Sequence, residues 1–237
     1  MVELRRQRTS AGWYLSENLA GYIFMAPTIL VLGVFVVLPI LFAVYLSLHK
    51  VRLLGGIEYR FVGIENFANL GTDERVWIAL RNTLEYVIIV VPLQTILALI
   101  LAVTLNSGIH GKNWWRILYF LPTVTSSAVL TLIFMWIYNS NGLLNNVLAF
   151  LGLPTYNWLG DPAVALKGIM LMNIWSTAPF FMVIYLAALQ DIPQSLYEAA
   201  ELDGANGWQK FINITVPILR PVTFFVLSMG IIGTFQL

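Results

Sequence analysis

The chain has 237 residues, 59% of them hydrophobic and 11% charged, with a mean hydropathy of +0.78. Soluble domains carry about 25% charged residues, so a soluble enzyme or binding module is excluded and an integral membrane protein is indicated. A net charge of +1 gives no global field for nucleic acid, and the absence of cysteine removes disulfides, thiolate metal sites and cysteine nucleophiles.

From the amino terminus, residues 1–19 carry Arg5, Arg6 and Arg8 ahead of a run from Gly21 to Leu46 that holds no charge. A signal peptide has an apolar core of only about 7–15 residues, so residues 20–48 are expected to be a retained first span. The arginines would anchor its cytoplasmic end. Residues 49–76 form the next loop, in which 55–72 is too polar to span and is expected at the outer interface. A helical span needs about 20 mostly apolar residues, and four more segments meet that length, near 77–105, 115–138, 164–189 and 217–237.

Charged residues collect at the span ends: Arg81 and Glu85, Arg116, Lys167 and Arg220. A charge at mid-bilayer costs at least ~2.5–3.5 kcal/mol. Arg81 and Glu85, four apart, are expected to form an interfacial ion pair. The histidines, His49 and His110, both lie at span ends and make no histidine-rich metal or proton-relay centre. No ten-residue alternation recurs, which argues against a barrel. The expected fold is therefore an all-α integral membrane protein, a polytopic helical bundle with five spans. The last segment ends without a closing charged loop, so a sixth span is expected beyond it.

Basic residues orient the bundle. With the amino terminus inside, the inner segments hold Arg5, Arg6, Arg8, Lys112, Arg116, Lys210 and Arg220, while residues 139–163 have no Lys or Arg. Tyr138, Tyr156 and Trp158 then fit an interfacial belt. The loop 49–76 runs against the trend with Lys50, Arg52, Arg60 and Arg75, offset by Glu58, Glu65, Asp73 and Glu74. Asn139-Ser140-Asn141-Gly142 is a turn cluster, followed by a short apolar helix at 143–151, re-entrant or lying flat.

Between the last two spans, at about 191–216, sits a polar island. Pro193 breaks the preceding span, with Ser195 or Gln194 at the cap, and Leu196-Tyr197-Glu198-Ala199-Ala200-Glu201-Leu202 is built of good helix formers. Glu198 and Glu201 share one face. Gly204 can take the left-handed conformation that ends a helix. A second helix over about 207–214 would lead to Pro217 at the start of the next span. The product is a helix–Gly–helix elbow, either docked by a partner or simply an interfacial amphipathic loop. Its acidic face weighs against anionic lipid as the sole contact.

Polar residues inside spans are the candidates for a solute path. Asn173, Ser176 and Thr177 share a face next to Pro179, which is expected to kink the helix. Thr123, Ser126, Ser127 and Thr131 are expected on one stripe after Pro122, and Gln94 follows Pro92. Small hydroxyls also serve as helix–helix glue, so Asn173 is the leading solute contact.

The island carries a resemblance. Glu198-Ala199-Ala200, Gly204, Ile214 and Pro217, at this spacing, resemble the motif of the inner-membrane permease of binding-protein-dependent ABC importers, with Asp203 and Glu201 in the same loop. Val216 stands where that family commonly has leucine. The runs Trp114 to Pro122, Trp136 to Asn145, Trp158-Leu159 with Asp161-Pro162, and Trp175 with Pro179-Phe180 resemble its carbohydrate-uptake branch, of the maltose or glycerol-phosphate type, and extend the likeness from about residue 66 to the end.

The resemblance implies a permease core at 77–237, a coupling role for Glu198, Ala199, Ala200, Glu201, Asp203, Gly204, Ile214 and Pro217, and a path among Asn173, Ser176, Thr177, Gln94 and Ser127. It implies as partners a second permease subunit, cytoplasmic ATP-binding subunits and an extracytoplasmic solute-binding protein, in the cytoplasmic membrane of a bacterium or archaeon. No phosphate-binding G-x-x-x-x-G-K-[ST] loop occurs, so ATP hydrolysis belongs to another subunit, and neither cofactor nor metal is expected. A permease for amino acids or phosphate, an ion-driven secondary transporter and a membrane-embedded enzyme are the alternatives.

Overall fold

In a computed structural model, the described residues are 11–52 and 57–236. Arg5, Arg6 and Arg8, Gly55 at the start of the expected interfacial stretch, and Leu237 lie outside them. The chain divides into two compact units, Met1–Trp77 and Ile78–Leu237.

In the first unit, α1 (Ala11–Leu32), one π-helical turn (Gly33–Val37) and α2 (Leu38–Ser47) run on as a single apolar helix, Leu19–Ser47, long enough to cross a membrane. The wide turn has a cause in the sequence. Pro39 has no N–H to give to the carbonyl four residues earlier. Leu38 bonds instead to Gly33 O, five residues back, and the helix continues past the proline.

The interfacial loop contains an unexpected hairpin. Strands β1 (His49–Arg52) and β2 (Glu58–Phe61) pair antiparallel, His49 opposite Phe61 and Lys50 opposite Arg60. Four residues of alternation are too few to stand out in a sequence. The hairpin forms because its aromatic side packs: His49 stacks on Tyr45 at 4.1 Å, and Phe61 meets His49 edge-on at 5.3 Å. From α3 (Glu65–Leu70), Asn66 Nδ2 donates to the Ser47 and His49 carbonyls at 2.8 and 3.1 Å, tying the loop to the helix end.

The second unit holds most of α4 (Glu74–Asn106), then α5 (Lys112–Val124), α6 (Ser127–Ile137), α7 (Leu143–Phe150), α8 (Pro162–Gln190), α9 (Gln194–Leu202), α10 (Gly207–Lys210), a second π-helical turn (Phe211–Thr215), α11 (Val216–Ile218) and α12 (Arg220–Phe235). Among the described residues of the chain, three helices are long and apolar enough to span, one of them Leu19–Ser47 of the first unit, and two bent pairs bring the number to as many as five. Ala98 and Ala102 of α4, Met182, Tyr185 and Leu186 of α8, and Val226 of α12 form one buried cluster. Small residues four apart let helices approach closely, the usual cement of membrane bundles. The Tyr185 hydroxyl donates to Thr223 Oγ1 at 3.0 Å.

The structure corrects three expectations. Residues 115–138 are not one helix: α5 and α6 meet at a 98° bend. Pro122 removes one helical bond, and Thr123-Val124-Thr125-Ser126-Ser127 after it are poor helix formers whose hydroxyls compete for backbone. The Thr125 hydroxyl donates to Leu121 O at 2.8 Å. The stripe Thr123, Ser126, Ser127 and Thr131 is therefore split between two helices. Second, among the described residues no ion pair joins Arg81 to Glu85. Third, of the aromatics Tyr138, Tyr156 and Trp158 expected in an interfacial belt, Tyr138 is buried at 3% exposure and Trp158 half-buried, while Tyr156 is exposed.

Tyr156 and Trp158 are held by Asn145, which is 3% exposed. Its Oδ1 accepts from Tyr156 N at 3.2 Å and Trp158 Nε1 at 3.0 Å, while its Nδ2 donates to the Tyr156 and Ser140 carbonyls at 2.8 and 3.1 Å. Tyr138 stacks on Trp158 and donates its hydroxyl to Gly168 O at 2.8 Å. One buried amide thus closes the α6–α8 connection, with every polar group satisfied.

Candidate functional site

Two features of the second unit sit on the same pair of helices. The first is a cleft of about 440 Å³, lined from α4 by Gln94, from the α5–α6 bend by Thr123, Thr125 and Ser127, from α8 by Asn173, Ser176 and Thr177, and from α12 by Gly230 and Thr234. All five path residues expected from the sequence meet there: Asn173, Ser176, Thr177, Gln94 and Ser127. The lining contributed by α12 was missed, although Gly230 and Thr234 lie four apart on one helical face.

Among the described residues, no Lys, Arg, Asp or Glu lines the cleft. Several of its hydroxyls give their protons to backbone: Ser176 to Asn173 O (3.1 Å), Thr125 to Leu121 O (2.8 Å) and Thr234 to Gly230 O (2.7 Å). Their oxygens keep lone pairs free to accept. Thr177 Oγ1 lies 2.7 Å from both Gln94 Oε1 and Asn173 O, with one proton for the two acceptors. Gln94 is 3% exposed, and Gly230 makes room for it: a Cβ there would fall 2.7 Å from Gln94 Nε2. The cleft joins hydroxyl acceptors and two primary amides to the apolar walls of Phe180, Phe181 and Met229.

The second feature is the elbow between α8 and α12. Gly204 has φ of 77°, the left-handed geometry expected of it. Ala205 N donates to Ala200 O (2.9 Å) and Gly204 N to Glu201 O (3.0 Å), the paired bonds of a Schellman turn. Asn206 and Gln209 then close a capping box that starts α10. The start of α9 differs from expectation, because Pro193 occupies the cap position and neither Gln194 nor Ser195 caps it.

The second arm is also longer than expected, running from Gly207 to Ile218 before a 65° bend into α12. Pro217 lies inside this arm instead of opening the next span. As at Pro39, the preceding residue absorbs the lost bond, Val216 N reaching Phe211 O through a π-helical turn.

The motif residues divide by exposure. Glu198, Ala199, Glu201, Asp203 and Gly204 are exposed, whereas Ala200, Ile214 and Pro217 are half-buried. Leu202 and Trp208 project at 90% and 70% exposure, which leaves one large apolar side chain exposed on each arm. Two contacts unforeseen from the sequence brace the arms. Lys210 Nζ donates to Glu201 Oε1 at 2.6 Å, and the Tyr197 and Thr215 hydroxyls share a bond of 2.9 Å.

Residues 94–237 match the protein family described as the binding-protein-dependent transport system inner membrane component. The chain belongs to this family. It is thus a multi-pass inner-membrane permease subunit, a non-catalytic component of its transport system. The permease is 36% identical to the lactose transport system permease protein LacF of Rhizobium radiobacter, over 97% of this chain and 76% of that one. It is 34% identical to the trehalose/maltose transport system permease protein MalF of Thermococcus litoralis, over 93% and 75%.

Among solved structures, the permease is similar to a bacterial ABC transporter that imports the acidic polysaccharide alginate. The TM-score is 0.77 at 25% identity, covering 93% of this chain and 75% of that chain. A second alginate transporter structure, in complex with its alginate pentasaccharide-bound periplasmic protein, shares the fold with a TM-score of 0.74 at 24% identity.

Proposed function

We propose that this permease forms half of the translocation path for an uncharged sugar and couples it to a separate ATPase through the elbow at 191–216. One observation carries the reading. Helices α8 and α12 both line the polar cleft and both end in the elbow that joins them. From Thr177 to Gln190 is about 20 Å along α8 at 1.5 Å per residue, and α8 runs through Pro179 without a break, so a push on the elbow is delivered to the cleft along α8 and α12.

Lone pairs, amides and aromatic walls suit a solute rich in hydroxyls, and the absence of charged lining favours a neutral one. The names of the relatives, which transport lactose or trehalose and maltose, support the same class. The core is assigned to 77–237, behind a first span at 20–48 whose preceding arginines place the amino terminus, and with it the elbow, inside. Glu198 and Asp203 offer their carboxylates to basic residues of an ATP-binding subunit, with Leu202 and Trp208 as the buried centre of that contact.

A second permease subunit completes the path, and an extracytoplasmic solute-binding protein delivers the sugar. ATP binding closes the ATPases, carries the elbows inward and turns the cleft from inward-facing to outward-facing. The test is ATP-dependent uptake of radiolabelled neutral disaccharide by proteoliposomes holding the whole complex. Glu198→Lys and Gly204→Pro should each abolish uptake while membrane insertion persists. Normal uptake by both variants would sink the coupling role.

A further inference from the structure

The first unit carries a charge arrangement that neither the cleft nor the elbow uses. In the β1–β2 hairpin, Lys50 stands directly opposite Arg60 and Arg52 opposite Glu58. Strand alternation puts these four on one face, and His49, Val51, Tyr59 and Phe61 on the other. The second face is engaged only at His49, which stacks on Tyr45 and meets Phe61 edge-on, while Val51, Tyr59 and Phe61 stay exposed beside it. The first is exposed, and a recess of about 320 Å³ lies among Lys50, Val51, Arg52, Glu58 and Arg60, within the size range of small-ligand sites.

Like charges directly opposite each other weaken a sheet, and among the described residues none of these basic side chains is held in an ion pair. Three cations against one carboxylate leave the face with an unmet demand for an anion. Its position says which one. Helix α2 ends at Ser47 and β1 begins at His49. At about 3.3 Å per residue, Lys50 lies within ~10 Å of the span's end. The headgroup layer beyond the hydrocarbon is roughly 5–8 Å deep on each side. The two Asn66 hydrogen bonds to the span's last carbonyls hold the loop there.

We propose that the basic face of this hairpin is a binding site for the phosphate of an anionic lipid headgroup. A phosphate between Lys50 and Arg60 turns the cross-strand repulsion into two charge-assisted contacts, and Arg52, partly balanced by Glu58, contributes less. The site accounts for basic residues in a loop where charge bias disfavours them. It depends only on the membrane setting, not on the solute or on the coupling role.

The test is native mass spectrometry of the detergent-solubilised complex titrated with phosphatidylglycerol or phosphatidylcholine. A basic residue at the surface contributes about 1 kcal/mol toward anionic lipid, roughly a five-fold change in affinity. Lys50→Gln/Arg60→Gln should therefore weaken phosphatidylglycerol binding at least about five-fold and leave phosphatidylcholine binding unchanged. Arg52→Gln should have a smaller effect, and Lys50→Arg should retain binding. Circular dichroism and elution volume verify that each variant is folded.

Equal phosphatidylglycerol binding by wild type and the folded double variant would overturn the proposal. So would displacement of the lipid by an excess of inorganic phosphate, which would mark a free-anion site. Loss of solute-binding-protein association in the double variant, with lipid binding intact, would reassign the face to a protein partner and also overturn it. Uptake is not the readout, so this site and the transport reading stand or fall separately.

Discussion

At the level of single residues, two uncharged groups set the precision of the second unit. Asn145 both donates and accepts, which a carboxylate of the same shape cannot do. Asn145→Asp puts a carboxyl group in a buried position and takes from the Ser140 and Tyr156 carbonyls the donor they share. It should cost about 2–4 kcal/mol, read as a lowered midpoint of thermal unfolding in detergent. Gly230 acts through space instead of bonding. Gly230→Ala brings a methyl to 2.7 Å from Gln94 Nε2 and 3.1 Å from Val91 Cγ1. Gln94, as the flexible partner, should yield. Displacing the solute contact proposed for Gln94, worth about 1–1.5 kcal/mol, should raise KM for uptake roughly tenfold with kcat little changed. The candidacy of Gln94, Asn173 and Thr177 was legible because polar groups are rare in spans. The hub at Asn145 was not, because an asparagine in a loop reads as a turn former until its partners are known.

Among the elements, the elbow was the most legible, and the reason is local. Glycine at Gly204, good helix formers before it and a capping pair after it act within a few residues, so short-range chemistry sets the fold there. The parts that could not be read depend on longer reach: the Lys210–Glu201 and Tyr197–Thr215 braces join residues 9 and 18 apart. The ion pair is exposed on its glutamate side and should contribute no more than about 1 kcal/mol to stability; its expected role is to fix the angle between the two arms. Glu201→Lys alone should lower the number of solutes moved per ATP hydrolysed, and Glu201→Lys/Lys210→Glu should restore most of it, measured in one proteoliposome preparation. The prolines show the opposite limit. Pro217 reads as the start of a span, yet it lies inside the elbow's second arm, one residue before a 65° bend, and Pro122 lies two residues before a 98° bend. Pro39, in contrast, sits inside an unbroken span behind a π-helical turn. A proline in the sequence therefore marks a possible bend without fixing whether one forms.

For the molecule as a whole, hydropathy and charge were enough to find the apolar segments that supply three to five spans among the described residues, because the bilayer forces a span to show itself as a long apolar run. Which spans bend, and which residues from distant spans share a cleft, depends on packing that no window of sequence contains. The uncharged lining of that cleft has a further, electrical consequence. Moving one elementary charge through the membrane potential is worth about 2.3 kcal/mol per 100 mV. A neutral sugar, as proposed above, crossing beside the uncharged wall that this subunit supplies carries no charge of its own and does no work against that field. Uptake by the complex at saturating ATP should be the same at an imposed diffusion potential of either sign, set with potassium and valinomycin. The energy of each cycle would then go entirely to the concentration gradient, leaving the cell's voltage unspent.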